Sequence, residues 1–366
     1  MIKTGMKSVQ NNFDCIRLVL AIGVVLGHLY DLTLNNAFLG LRLSIDSESC
    51  VYCFFTISGF LVTLSYTRSN DLRSFYKKRV RRILPAYVSV ILLSVLLGAL
   101  LSRYQILAYL TSAQTWNYLF WNLAFLNMYQ PGLPGLFENN PVSATVNGSL
   151  WSIRSEVLFY VLIPFWMFFC KRWGNLLSWI VVLIAVQCAD LLILHTAWGS
   201  SSEMYLFHIG YLIPFAFFTT GSLLYLYREQ LETYAPQILP VCLLMFLGAY
   251  LVGKQNMPLI LRVVPLAILV IIIGGYFCYL GNWGRFGDLS YGIYIYHFPI
   301  LQTLIAMGIL TTMPLVGAII AITLTIAAGL VSWHWIEKPF LSKKSHYIQA
   351  EAASMPVLPA ELQTSH

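Results

Sequence analysis

Apolar runs long enough to cross a bilayer follow one another from residue 13 to residue 336, with little polar sequence between them. A helix needs about 17 to 25 apolar residues to span the hydrocarbon core. Ten runs approach that length: 13–32, 50–66, 83–103, 150–170, 175–194, 206–226, 236–252, 257–280, 286–309 and 314–336. Only 10% of the 366 residues are charged and 58% are hydrophobic, with mean hydropathy +0.71. A soluble domain carries roughly 25% charged residues, so this chain cannot cover a water-facing surface. The sequence predicts an all-α integral membrane protein of about ten transmembrane helices with no soluble domain. The membrane domain covers 1–340, and 341–366 reads as a disordered cytoplasmic tail.

Basic residues orient the bundle. The stretch "TRSNDLRSFYKKRVRR" between the second and third spans holds seven Lys or Arg, and most other loop lysines and arginines fall on that same side. The positive-inside rule then places both termini in the cytoplasm and the long connection 104–149 outside. These loops account for the net charge of +7, so no nucleic-acid partner is implied. Within 104–149, "NYLFWNLAFLNMY" is too short and mixed to cross and suits an interfacial or re-entrant helix. The first span is too long for a signal-peptide core and reads as an uncleaved anchor. Cys50 and Cys53 form a lone CxxC without further ligands nearby, so no metal site is expected.

Ionisable residues inside spans are costly and ask for a reason. Arg17 and His28, eleven residues apart, share one face of the first span, about 16 Å apart along the axis. Arg17 alone could snorkel to the cytoplasmic edge; with His28 on the same face, a polar cavity inside the bundle is the better reading. Arg79 and Arg82 project together from the start of the third span, either as topology charge or as a phosphate-binding pair. Glu156 lies two turns inside the fourth span with Ser152 and Tyr160 on its face, and a buried carboxylate needs a partner. Helix rise puts Glu156 and His28 at similar depth in the outer half, where they could meet. Arg154 points about 200° away from Glu156 and can snorkel at the outer interface. Asn147-Gly-Ser149 is a glycosylation sequon or, more simply, a helix cap. Ser290, Tyr294 and His297 form one polar stripe on the ninth span, as interhelical glue or as a substrate-lining surface. His195 and His208 read as interfacial.

Taken in order, "FDCIRLVLAIGVVLGH", "FFTISGFLV", "FYKKRVRRILPAY", "LWSIRSEVLFYVLIP", "FGDLSYGIYIYHFPI" and "WIEKPF" resemble the acyltransferase-3 family of bacterial multi-pass membrane acyltransferases. The likeness extends over nearly the whole chain. It implies that Arg17 and His28 are essential and that Arg79 and Arg82 are an RxxR element binding coenzyme A phosphates. His28 becomes a general base, with Glu156 orienting it as the carboxylate does in a Ser-His-Asp triad. Arg17 would steady the donor partway along, and Ser290, Tyr294 and His297 would line the substrate path. Arg154 departs from the family, where a small or uncharged residue is more common.

The reading that follows is a membrane O-acyltransferase of the bacterial cytoplasmic membrane. It takes an acyl group, acetyl by preference, from cytoplasmic acyl-CoA to a hydroxyl of a surface polysaccharide, its lipid-linked precursor or a glycolipid. No resident cofactor is expected; acyl-CoA is the donor substrate. No SGNH hydrolase-like domain of the kind some members have is expected from this sequence. Transfer is then completed by the membrane part alone or with separate glycan-assembly proteins. The alternative is a transporter or flippase for such a glycan or lipid, since intramembrane ionisable residues also mark transport paths. Against it, the sequence has no inverted repeat.

Overall fold

The computed structural model describes residues 11–195, 204, 207–253, 257–343 and 345–352. Regular structure among the described residues is entirely helical. In chain order the longer helices are α1 (Phe13–Thr33), α2 (Ser47–Thr67), α3 (Leu72–Leu101), α4 (Ala113–Leu123), α5 (Leu150–Trp173), α6 (Asn175–His195), α7 (Ile213–Leu226), α8 (Arg228–Val252), α9 (Leu259–Gly275), α10 (Leu289–Ala306) and α11 (Pro314–Val331). In lipid each backbone N–H and C=O must be satisfied within the protein, and a helix does this locally.

Among the described residues, eight helical segments are long and apolar enough to cross a membrane. The other two expected spans are α9, of 17 residues, and α10, of 18. Serine, tyrosines, His297 and Gln302 dilute the apolar character of α10, and all four kinds of side chain are buried in the bundle rather than turned to lipid. The third span starts earlier than its apolar run suggests. Asp71 accepts a hydrogen bond from the Ser74 backbone N–H (2.6 Å), so the helix opens at Leu72 and carries Arg79 and Arg82 on its first turns. Within 104–149, α4 is an 11-residue helix that leaves Trp116 and Phe120 exposed, too short to cross.

Small residues let helices touch. A Cβ placed on Gly59 of α2 would lie 2.0 Å from the Phe218 carbonyl oxygen of α7, and one on Gly221 would lie 2.0 Å from that of Thr56. Backbones this close are the small-residue packing that joins helices where no hydrophobic drive exists between them. Thr63 donates to Ser222 across the same seam at 2.7 Å. Gly59→Leu should therefore separate α2 from α7, costing at least the 1–3 kcal/mol of ordinary overpacking. Thermal unfolding of the purified protein should fall clearly, whereas Gly248→Ala, with no atom within 4 Å of the added Cβ, should leave it unchanged.

Candidate active site

Two polar contacts tie α1 to α10. Toward the N-terminal ends of both helices, Arg17 Nη1 meets Asp288 Oδ2 at 2.7 Å. Toward their other ends, His28 Nδ1 meets His297 Nε2 at 2.7 Å, with the rings stacked 5.0 Å apart. Eleven residues separate Arg17 from His28, about 16 Å of helix. The shared face read from sequence is thus real, but Arg17 is answered by the N-cap of α10, Asp288, and His28 by His297 within it.

The hydrogen bonds fix the tautomers when both rings are neutral. His297 Nδ1 lies 2.7 Å from the Tyr294 carbonyl oxygen, which can only accept, so that nitrogen carries the proton. His297 Nε2 then holds a lone pair, and His28 Nδ1 must donate to it. The proton-free nitrogen of His28 is Nε2, which has no partner among the described residues. An imidazole oriented by a second ring, with one nitrogen lone pair left open, is the result.

The expected His28–Glu156 pair is not formed. Glu156 Oε1 accepts from Ser58 (2.9 Å) and from Tyr160, one turn along α5. Depth arithmetic located both residues along their helices but could not tell which neighbour each would face. Ser152, on the same face of α5, bonds the Tyr294 hydroxyl at 2.6 Å.

A cavity of about 710 Å³ runs through this region. Its lining runs from the exposed Arg68, Lys77, Lys78 and Arg81, which mark its mouth, through the partly buried Arg79, Arg82, Arg17 and Glu156 to the buried Ser290, Ser152 and Tyr294. The histidine pair does not line it. Tyr294 stands between, its hydroxyl on Ser152 and its carbonyl on His297.

The arginines divide into two kinds. Arg82 bonds Asp288 and Glu337, the latter at 2.7 Å, so Arg17 and Arg82 together face two buried carboxylates. These four charges sum to zero. Arg79 instead donates only to a neutral group, Ser65 (3.0 Å), and its Nε is buried with no partner among the described residues. The RxxR pair therefore projects into the cavity as one committed and one free guanidinium. Asp288 and Glu337 were not singled out from sequence, although both stand inside quoted motifs, "FGDLS" and "WIEKPF". The signal was partial: Arg17 lies within a span and Arg82 at the start of one, and two such arginines call for carboxylates.

Where the sequence predicts a disordered tail, a helix forms at His346–Ala352. Tyr347 donates to Asp288 (2.8 Å) and accepts from Arg17 (2.9 Å), while His346 pairs with Asp14 (3.0 Å). That bond raises the His346 pKa above the ordinary imidazole value. Tyr347 and His346 hold the segment in place through these contacts; residues 353–366 lie outside the described residues.

On the other side of the bundle, His208 is buried against Asp190 (2.8 Å), which also meets Arg262 (3.3 Å), so it is not interfacial. The His195 side chain lies outside the described residues. Asn147 is buried, accepts from the Ser149 N–H (3.1 Å) and donates to the Ile295 carbonyl (2.9 Å), which is the capping alternative rather than a glycan-bearing one. Arg154 is buried too, contrary to the snorkelling expectation.

A bundle of membrane-length apolar helices with an oriented imidazole pair and a cation-lined cavity has the parts of a membrane-embedded group-transfer enzyme. Residues 10–334 match the model of an acyltransferase domain, Acyl_transf_3, and the chain belongs to that family. Among its relatives is the O-acetyl transferase of Shigella phage Sf6, 30% identical over 92% of this chain and 97% of that protein. Nodulation protein 10 of Rhizobium leguminosarum bv. viciae is 29% identical over 93% of this chain and 95% of its own length. The O-acetyltransferase OatA of Staphylococcus aureus is 23% identical over 90% of this chain, which spans only 57% of it. No solved structure matches. The protein is a multi-pass membrane acyltransferase of the O-acetyltransferase kind.

Proposed function

We propose that the protein moves an acetyl group from cytoplasmic acetyl-CoA to a hydroxyl of a glycan or lipid-linked glycan on the other face of a bacterial cytoplasmic membrane. The observation that carries this reading is the cavity, which leads from a cationic mouth to the residues that touch the histidine pair. Relatives named for O-acetyl transfer support the glycan hydroxyl as acceptor.

The CoA phosphates sit at the mouth on Arg79 and the exposed Arg68, Lys77, Lys78 and Arg81, not on Arg17 or Arg82, whose charge is already answered. The pantetheine arm follows the cavity, and the thioester arrives at Tyr294. A rotamer change of Tyr294, breaking its bond to Ser152, joins the cavity to the histidines. His28 Nε2 takes the acceptor proton as the acceptor oxygen attacks the thioester carbonyl. The C–S bond then breaks, and the thiolate takes that proton from His28, leaving CoA and an acetyl ester. His297 shares the imidazolium charge in between, the role that the family resemblance implies for Glu156.

Arg79→Gln should weaken acetyl-CoA binding roughly ten- to hundredfold, the worth of one charge-assisted hydrogen bond of about 1.5–3 kcal/mol. Isothermal titration on detergent-solubilised protein reads this, and an unchanged Kd would return Arg79 to a topology signal. Proteoliposomes given labelled acetyl-CoA and the host's extracted glycans test the whole reading. Label on the glycan supports transfer; glycan crossing the membrane unlabelled supports the transporter instead. Sidedness is read separately. Ser143→Cys, in a background without accessible native cysteines, should react with an impermeant thiol reagent from outside intact cells. Reaction only after permeabilisation would invert the topology and put His28 on the wrong side.

A further inference from the structure

Arg154 is a buried charge that the acyl-transfer site leaves unexplained. It projects from the second turn of α5, two residues after Ser152, and so about 200° round the helix from the end of the donor cavity. The residue is 9% exposed, and its Nε and Nη1 are buried with no hydrogen-bond partner among the described residues. Its electrostatic neighbours are the phenols of Tyr211, Tyr87 and Tyr129, with the guanidinium 4.7 Å from the Tyr211 ring centre. Arg17, Arg82 and Arg262 each face a buried carboxylate; Arg154 faces none among the described residues. An unpaired buried charge is costly, and a single cation–π contact offsets only part of that cost.

Two further features converge on the same place. The backbone beside the guanidinium is a π-helical turn, His208–Leu212, a rare form that concentrates at functional sites. Ser155 pins it by donating to the Gly210 carbonyl (2.5 Å), and a Cβ at Gly210 would come 3.7 Å from Arg154 Nη2. Leading outward, Tyr129 is 62% exposed and its ring packs 4.8 Å from that of Trp121. Flat amphipathic rings above a cation suit a sugar that carries negative charge, since the ring takes the apolar face and the guanidinium the anion.

We propose that Arg154 binds an anionic oxygen group of the acceptor, reached past Tyr129 and Trp121. The group is either the carboxylate of an acidic sugar or the phosphate of a lipid-linked one. This rests on the reading of a glycan acceptor and goes beyond it by naming what the acceptor must carry. Because Arg154 and the donor cavity lie on opposite sides of α5, the anion belongs to a neighbouring unit of the acceptor and not to the sugar that receives the acetyl group. Arg154 is then a specificity-determining residue that never touches the reacting atoms.

The test uses the full chain in lipid nanodiscs with two matched pairs of probes: methyl β-glucuronide against methyl β-glucoside, and undecaprenyl phosphate against undecaprenol. The wild-type protein should bind the anionic member of one pair at least about tenfold more tightly than the neutral one. Arg154→Gln should erase that preference, and the pair that responds identifies carboxylate or phosphate as the group. Tyr129→Ala, an exposed position whose loss leaves the guanidinium in place, should weaken the same pair severalfold, which keeps the idea open to refutation if Arg154→Gln does not fold. No anionic preference in the wild type, or equal preference in wild type and Arg154→Gln, overturns the proposal. Acetyl-CoA binding on the same samples should be unchanged by Arg154→Gln. Its failure in the wild type would strike the donor reading alone, because the anion preference is measured without donor.

Discussion

His28→Ala and His297→Ala should each lower acetyl transfer by about two to four orders of magnitude, the range of a general base. The double substitution should be little worse than either alone, because residues that act as a unit are not additive. The ground is the proton chain from the Tyr294 carbonyl through His297 to His28. Without His297, nothing on that side of His28 selects the tautomer that leaves Nε2 free. His297→Gln is the finer probe: its amide can still accept from His28 Nδ1 but cannot take up positive charge. Transfer should recover only in part and with a changed pH profile. Acetyl-CoA binding should stay within about twofold in all of these, since the proposed phosphate site is at the cationic mouth of a cavity that the histidines do not line. Full activity in His297→Ala would mean that the stacked rings only pack α1 against α10.

The sequence was most legible where one helix decides the answer alone. The shared face of Arg17 and His28 and the stripe Ser290–Tyr294–His297 follow from a period of 3.6, and both reappear in the structure. Pairing between helices was not legible in the same way. His28 and Glu156 stand at matching depth, yet their rotations about their axes turn one to His297 and the other to Ser58 and Tyr160. Helix rise fixes depth; only packing fixes rotation, and here packing is set by glycine contacts such as Gly59 on Phe218 and Gly292 on Gly329. The tail misled for a related reason. Its short helix has too few residues to be stable alone, and it forms because Tyr347 and His346 find partners on α1 and beside α10. The neutral sum of Arg17, Arg82, Asp288 and Glu337 could have been counted from sequence, whereas the freedom of Arg79 could not.

That neutral sum makes Asp288 the position where a single substitution should do most damage to the fold. Its carboxylate holds both Arg17 and Arg82 and accepts from Tyr347, while its other oxygen takes Ser290 and the Ser290 backbone N–H (3.2 Å) that starts α10. Asp288→Asn keeps the cap but leaves two buried guanidiniums facing one carboxylate, Glu337. Breaking a buried pair costs about 3–5 kcal/mol, a large share of the 5–15 kcal/mol that a folded protein has to lose. Asp288→Ala should be worse by about a further 1 kcal/mol for the lost cap. Both should show as aggregation on gel filtration and a sharp drop in thermal stability. Removing the opposite charge should repair the damage: Arg17→Met with Asp288→Leu leaves Arg82 matched one to one with Glu337, and apolar replacements of buried ion pairs are often neutral or stabilising. If the double variant is no more stable than Asp288→Ala, charge balance is not what the cluster provides. Acetyl transfer measured on the stable double variant then separates the two roles of Arg17. Activity that returns with stability makes it a clamp between α1 and α10, and a well-folded but inactive protein means that its guanidinium also serves the donor in the cavity it lines.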